Sequence, residues 1–259
     1  MNNQAPYYHI VGKEVDVFEH ANKNNLPILL KGPTGTGKSR FIEYMAFQLN
    51  KKLITISCHE ETSSTDLIGR YIIKGAETIW LDGPLTKAVK EGAFIYLDEI
   101  AEARPDVIVA IHSLTDHRRE LYIDKLGETV KAHEDFMLLA SFNPGYQRGF
   151  KELKPSTRQR FVALSFNYPD AKIETEIIVN ESGIDNSDAK KLVNIGTKIR
   201  NLTELGLTET VSTRLLVDAA KLIHSGLPKR LSVDVAVVEP LTDDLEVIAA
   251  LKDLCHLMI

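Results

Sequence analysis

Cysteine is scarce in this chain, two residues in 259, which excludes a disulfide framework. Cys58 and Cys255 are each followed by a histidine, but neither Cys-His dipeptide has the second pair that a zinc site needs, so both read as core thiols. No apolar run approaches the roughly 20 residues that span a bilayer. The N-terminal MNNQAPYYHIVGKEVDV also lacks a charged segment followed by an apolar one. Together these absences predict a cytoplasmic protein with no direct membrane insertion. Basic residues are not in excess: 31 Lys and Arg against 36 Asp and Glu give a net charge of −5, which argues against nucleic acid as a partner. Internal repeats and low-complexity tracts are missing. What is present, 44% hydrophobic and 26% charged residues, is ordinary globular composition, enough for one large domain or a medium one with a small one.

Short apolar runs at Pro27–Leu30, Leu53–Ser57, Ala93–Leu97, Phe136–Ser141 and Phe161–Phe166 alternate with helix-length segments. Runs without polar alternation read as buried parallel strands, so the expectation is a five-stranded α/β core flanked by helices. Two pairs of β-favouring runs interrupt it as inserted hairpins: Arg70–Lys74 with Glu77–Trp80 around Gly75, and Glu120–Ile123 with Thr129–Ala132 around Gly127. After Tyr168-Pro169-Asp170 helical periodicity takes over, as in Lys172–Glu181, Ala189–Asn201 and Thr213–His224. The predicted organisation is an α/β nucleotide-binding core over residues 1–169 and a small C-terminal helical domain over 170–259.

The segment Gly32-Pro33-Thr34-Gly35-Thr36-Gly37-Lys38-Ser39 matches the phosphate-loop pattern G-x-x-x-x-G-K-[ST] in full. Glycines let a backbone wrap phosphates, Lys38 would reach the β and γ phosphates of ATP, and the Ser39 hydroxyl would ligate Mg²⁺. A chance glycine turn is the alternative, but a strand before and a helix after supply the required context. Ala93-Phe94-Ile95-Tyr96-Leu97-Asp98-Glu99 is an apolar strand ending in two carboxylates. Asp98 can hold Mg²⁺ through water and Glu99 can polarise an attacking water; the plainer alternative is a pair of solvated charges. Asn143 closes the fourth strand and could hydrogen-bond a γ-phosphate, or could simply start an Asn-Pro turn. Arg158 and Arg160 precede the fifth strand, either as surface charges or as a finger lent to a neighbour's site. Trp80 reads as hairpin packing rather than a substrate contact, His112 and His117 as a polar helix-end pair, and Asp243–Glu246 as the capped start of the last helix.

Taken together, these residues and Thr213-Arg214 resemble the AAA+ ATPases over essentially the whole chain. More narrowly, Asp66–Tyr71, Trp80–Thr86, Leu114–Arg119 and Asn143-Pro144-Gly145-Tyr146-Gln147 resemble the MoxR branch, specifically the CbbQ/NirQ/NorQ group. That resemblance implies an AAA+ P-loop core with a helical lid, hydrolysing ATP with Mg²⁺. It implies a sensor-1 role for Asn143, a sensor-2 role for Arg214, and an arginine finger at Arg160, with Arg158 as alternate. It implies self-assembly into a ring, commonly a hexamer, with the two hairpins lining or flanking the pore. Members of the group work with a von Willebrand A-domain adaptor on a client: Rubisco for CbbQ, the metalloenzyme nitric oxide reductase for NorQ. The run Gly149–Arg158 lies slightly nearer the NorQ-like pattern.

Two rivals compete. A small-molecule P-loop kinase explains residues 32–39 but leaves Asn143, the arginines and the helical domain without roles. An AAA+ transcriptional activator would carry a Gly-Ala-Phe-Thr-Gly-Ala loop and a helix-turn-helix, neither of which is in the sequence.

Overall fold

The computed structural model describes residues 5–144, 153–202 and 210–259. They fall into two compact units, Met1–Gly32 with Gly37–Phe166, and Pro33–Thr36 with Asn167–Ile259. The first unit contains, in chain order, α1 (Glu14–Lys23), β1 (Ile28–Lys31), α2 (Lys38–Gln48), β2 (Leu53–Ser57), α3 (Ser64–Ile68), β3 (Gly69–Lys74) and β4 (Glu77–Asp82). There follow α4 (Pro84–Glu91), β5 (Phe94–Asp98), α5 (Pro105–Ile111), β6 (Glu120–Ile123), β7 (Glu128–Lys131), β8 (Met137–Phe142), α6 (Pro155–Arg158) and β9 (Val162–Ser165).

Five of these strands form one parallel sheet in the order β2-β5-β8-β1-β9. The period of two along each strand explains why they read as unbroken apolar runs. Phe94 and Tyr96 of β5, Ile28 and Leu30 of β1, and Met137 and Leu139 of β8 face one core with Phe18 and Phe41. Their neighbours Ile95, Leu97, Leu29, Leu138 and Ala140 face the other, with Leu85, Val107 and Ile111. Each fully buried large aliphatic or aromatic side chain contributes about 1.5–3 kcal/mol, so helices must cover both faces.

Strands β3 and β4 pair antiparallel, as do β6 and β7, so both expected hairpins form. Each turns on a glycine in the left-handed region, Gly75 at φ 67° and Gly127 at φ 63°. Trp80 packs edge-on against Tyr71 at 5.2 Å and donates to Asp82 at 2.7 Å, which is the packing role its sequence position predicts. Tyr71 donates its hydroxyl to Lys125 O at 3.3 Å, joining the two hairpins. Arg119, itself at φ 50°, donates to Asn25 O, His133 O and Phe136 O at 3.0–3.1 Å and so staples the approach to β1 to the segment before β8.

The second unit is helical: α7 (Ala171–Ser182), α8 (Asn186–Arg200), α9 (Thr213–His224), α10 (Lys229–Val233) and α11 (Leu245–His256), with a π-helical turn at Asp234–Val238. Asp170, Ser212 and Asp244 accept from first-turn N–H groups and cap α7, α9 and α11. The acidic start expected for the last helix is therefore its cap. Helix α8 begins three residues before the expected Ala189, because Asp188 in its first turn is tied to Lys229 at 2.6 Å. The unit encloses a buried ion pair: Arg200 meets Glu174 through two bonds of 2.6 and 2.7 Å, and Thr213 donates to the same carboxylate at 2.6 Å. Arg200 also donates to Val211 O at 2.7 Å and stacks on Tyr168 at 4.1 Å. No helix among the described residues is long and apolar enough to cross a membrane.

Candidate functional site

Parallel strands collect their carboxyl ends on one edge of a sheet, where ligands of open α/β sheets bind. The register places Lys31 level with Phe142 and Leu97 level with Ala140, so the residues just past these positions are neighbours: Gly32, Asn143, Asp98 and Ser141. Gly32 leads the glycine-rich loop from β1 into α2. A Cβ on Gly32 would stand 2.1 Å from Phe166 O, so only glycine fits there. Gly32→Ala is expected to lower stability by roughly 2 kcal/mol or more in urea unfolding, and native stability in that variant would contradict the close approach. Gly37, at φ 91°, is the N-cap of α2 and offers no side chain to the first-turn N–H groups, and no acidic residue lies in that turn. Such an end attracts anions. Lys38 folds its ammonium back over the loop, donating to Gly32 O at 2.7 Å.

Behind the loop, Ser39 Oγ donates to Asp98 Oδ2 at 3.1 Å. The other carboxylate oxygen, Oδ1, accepts from Tyr96 Oη at 2.6 Å and from the buried Ser141 hydroxyl. Ser39 and Asp98 thus present hard oxygen donors side by side, the donor set that suits Mg²⁺. Burial and the Asp98 charge push the Tyr96 phenol up, so it stays a neutral donor. Glu99 turns sharply out of the strand at φ 55°, in the left-handed region, with its N–H donating to Ser141 Oγ at 3.0 Å. A non-glycine residue held there stores of order 1–3 kcal/mol, a strain that clusters at functional positions. Cys58 follows β2 and is buried; burial, then Asp98 and Glu99, push its thiol up to about 12, which keeps it protonated and inert.

The remaining candidates are elsewhere. Arg158 ends α6 and is exposed, and Arg160 follows two residues later. Both precede β9, whose Val162 pairs with Ile28 at the start of β1, whereas Gly32 lies past its end. Arg160 and Gly32 are therefore at opposite edges of the sheet, about 20 Å apart at 3.3 Å per residue. Arg160 instead contacts Asp116 at 3.4 Å and His112 O at 3.3 Å. Arg214 is the second residue of α9; within the second unit, a Cβ on Gly35 would stand 3.5 Å from the Arg214 Cβ and 2.5 Å from that of Ser212. Residues 145–152, which include Gly145-Tyr146-Gln147 and the first four residues of the NorQ-like run, lie outside the described residues.

Tyr96 and Ser141 were not singled out in the sequence. Tyr96 had a signal, a hydroxyl two residues before Asp98 and hence on the same strand face. Ser141 had none, since its place beside Asp98 depends on strand order.

Residues 27–161 match the family described as AAA domain (dynein-related subfamily), and residues 174–258 match CbbQ/NirQ/NorQ C-terminal. The chain is 54% identical to protein NorQ of Paracoccus denitrificans over 96% of this chain and 93% of that protein. It is 51% identical to protein CbbQ of Hydrogenophilus thermoluteolus, covering 95% of this chain and 92% of that one. It is likewise 51% identical to the denitrification regulatory protein NirQ of Pseudomonas aeruginosa, covering 99% of each. Among solved structures, a point mutant of RuvB from Thermotoga maritima superposes with a TM-score of 0.57 at 16% identity, covering 95% of this chain and 71% of that one, a likeness of fold. With its loop and carboxylates inside the first match and most of its helical unit inside the second, the chain belongs to the CbbQ/NirQ/NorQ family of AAA+ ATPases.

Proposed function

We propose that this ATPase is a ring-forming remodelling motor that activates or matures a metabolic enzyme, with nitric oxide reductase as first client and Rubisco as second. The observation that carries the ring is the placement of Arg158 and Arg160 at the sheet edge opposite the phosphate loop. A side chain about 7 Å long cannot bridge about 20 Å, so these arginines serve phosphates only on a second copy of the chain.

Within one copy, the loop backbone 32–37 and Lys38 hold the phosphates, and Ser39 and Asp98 would hold Mg²⁺, which supplies charge neutralisation at the phosphoryl oxygens. Glu99 orients and polarises the attacking water, and Asn143 fixes that water against the γ-phosphate. Arg160 of a second subunit, with Arg158 as alternate, stabilises charge on the transferred group, and Arg214 passes the change to the helical unit. The hairpins, the first with Ile73 82% accessible, hand the motion to a client or to a von Willebrand A-domain adaptor. Six subunits in the cytoplasm complete the proposal.

The client reading is tested in a host whose own copy of the gene is deleted, assaying nitric oxide reductase and Rubisco activity. Restoration by the native gene and not by Glu99→Gln supports it. Restoration by both genes, or of neither activity, contradicts it.

A further inference from the structure

The segment Leu114–Arg119 lies away from the phosphate loop, and it carries an unusually well-fastened carboxylate, Asp116. Arg118 donates to Asp116 three times: backbone N to Oδ1 at 3.0 Å, Nε to Oδ1 at 3.1 Å and Nη2 to Oδ2 at 2.7 Å. The turn closes through Arg119 N to Asp116 O at 3.2 Å, and the three carbonyls held by the Arg119 guanidinium anchor it to the body of the unit. Arg118 holds the Asp116 carboxyl well below the usual carboxylate range, so the group is a permanent anion. Onto this fixed anion comes Arg160, 44 residues on: Nη1 lies 3.4 Å from Asp116 Oδ2 and 3.3 Å from His112 O.

We propose that Asp116 is a positioning residue for Arg160, holding its guanidinium in the direction of a second subunit's phosphates; this rests on the arginine-finger reading above. Both contacts to Arg160 are long, and its side chain stays 34% exposed. Asp116 already accepts three bonds from Arg118, so it aims Arg160 without binding it tightly enough to compete with a phosphate. The His112 ring keeps the other side uncharged. Its Nε2 is buried without a hydrogen-bond partner among the described residues, and burial, then the Arg160 charge, lower its pKa.

Asp116→Asn keeps the shape and removes the charge. The expected result is a fall in kcat of about 10- to 100-fold, with the KM for ATP, ring mass and melting temperature unchanged. The decisive readout is subunit mixing. Asp116→Asn subunits have intact nucleotide pockets, and Lys38→Ala subunits have an intact Asp116 and Arg160, so mixed rings contain whole shared sites and regain turnover. Arg160→Ala mixed with Lys38→Ala is the reference. If the reference mixture recovers and the Asp116→Asn mixture does not, Asp116 acts inside its own subunit and the proposal falls while the finger reading stands. Native turnover by Asp116→Asn alone also overturns it. If Arg160→Ala alone turns over normally, the finger reading falls and takes this inference with it.

Discussion

Glu99→Gln is expected to bind ATP as the native protein does while turnover falls by about 10²–10⁴-fold, the usual range for loss of a general base. The substitution is nearly isosteric and Glu99 is exposed, so no core contact changes. The backbone bond from Glu99 N to Ser141 Oγ also survives, and with it the left-handed turn that carries the side chain out of β5. Asp98 keeps its three hydroxyl partners, so the oxygen donors proposed for Mg²⁺ stay in place. Binding of a fluorescent ATP analogue together with phosphate release checks this. Turnover near the native rate would remove Glu99 from the mechanism, and loss of binding would mean that it supports the loop rather than the water.

Glu174→Ala is expected to destabilise the helical unit by about 3–5 kcal/mol, the loss seen when one member of a buried ion pair is removed. The Glu174 side chain is 1% exposed and that of Arg200 13%, so the stranded guanidinium cannot recover its hydration. Thr213, the first residue of α9, loses its acceptor as well. Since Arg214 follows directly, the variant is also expected to disturb the coupling proposed above for that arginine. Thermal unfolding followed by far-ultraviolet circular dichroism reads the first effect. A loss below about 1 kcal/mol would place the pair among ion pairs whose desolvation offsets their attraction.

How far the sequence could be read depended on how local each feature was. The strands were legible because both faces of the sheet are covered, so Ile28–Leu30 of β1, Phe94–Leu97 of β5 and Met137–Ala140 of β8 had to be apolar without alternation, polar residues entering only toward the carboxyl ends. The glycine-rich loop is a contiguous pattern, and the family matches bear out the AAA+ fold it implied. Asp98 and Glu99 are marked by an apolar strand ending in acid. Nothing local tells that Ser141 completes the Asp98 network, because that needs the order β2-β5-β8-β1-β9. The Arg200–Glu174 pair joins residues 26 apart on two helices, and Arg119 reaches back 94 residues to Asn25. Each looks like an ordinary surface charge until packing hides it. The polar first turn of α8 fell outside the periodic segment for a related reason: the partner of Asp188 is on α10.

The central claim is a nucleotide site shared between copies of the chain. The most direct test measures ATP turnover by the native protein and by Arg160→Ala while light scattering gives the mass of each. The account predicts that both assemble as rings, that the native protein hydrolyses ATP, and that the variant loses about 10³-fold or more in kcat. A monomer that turns over ATP at a rate indifferent to the substitution would contradict it.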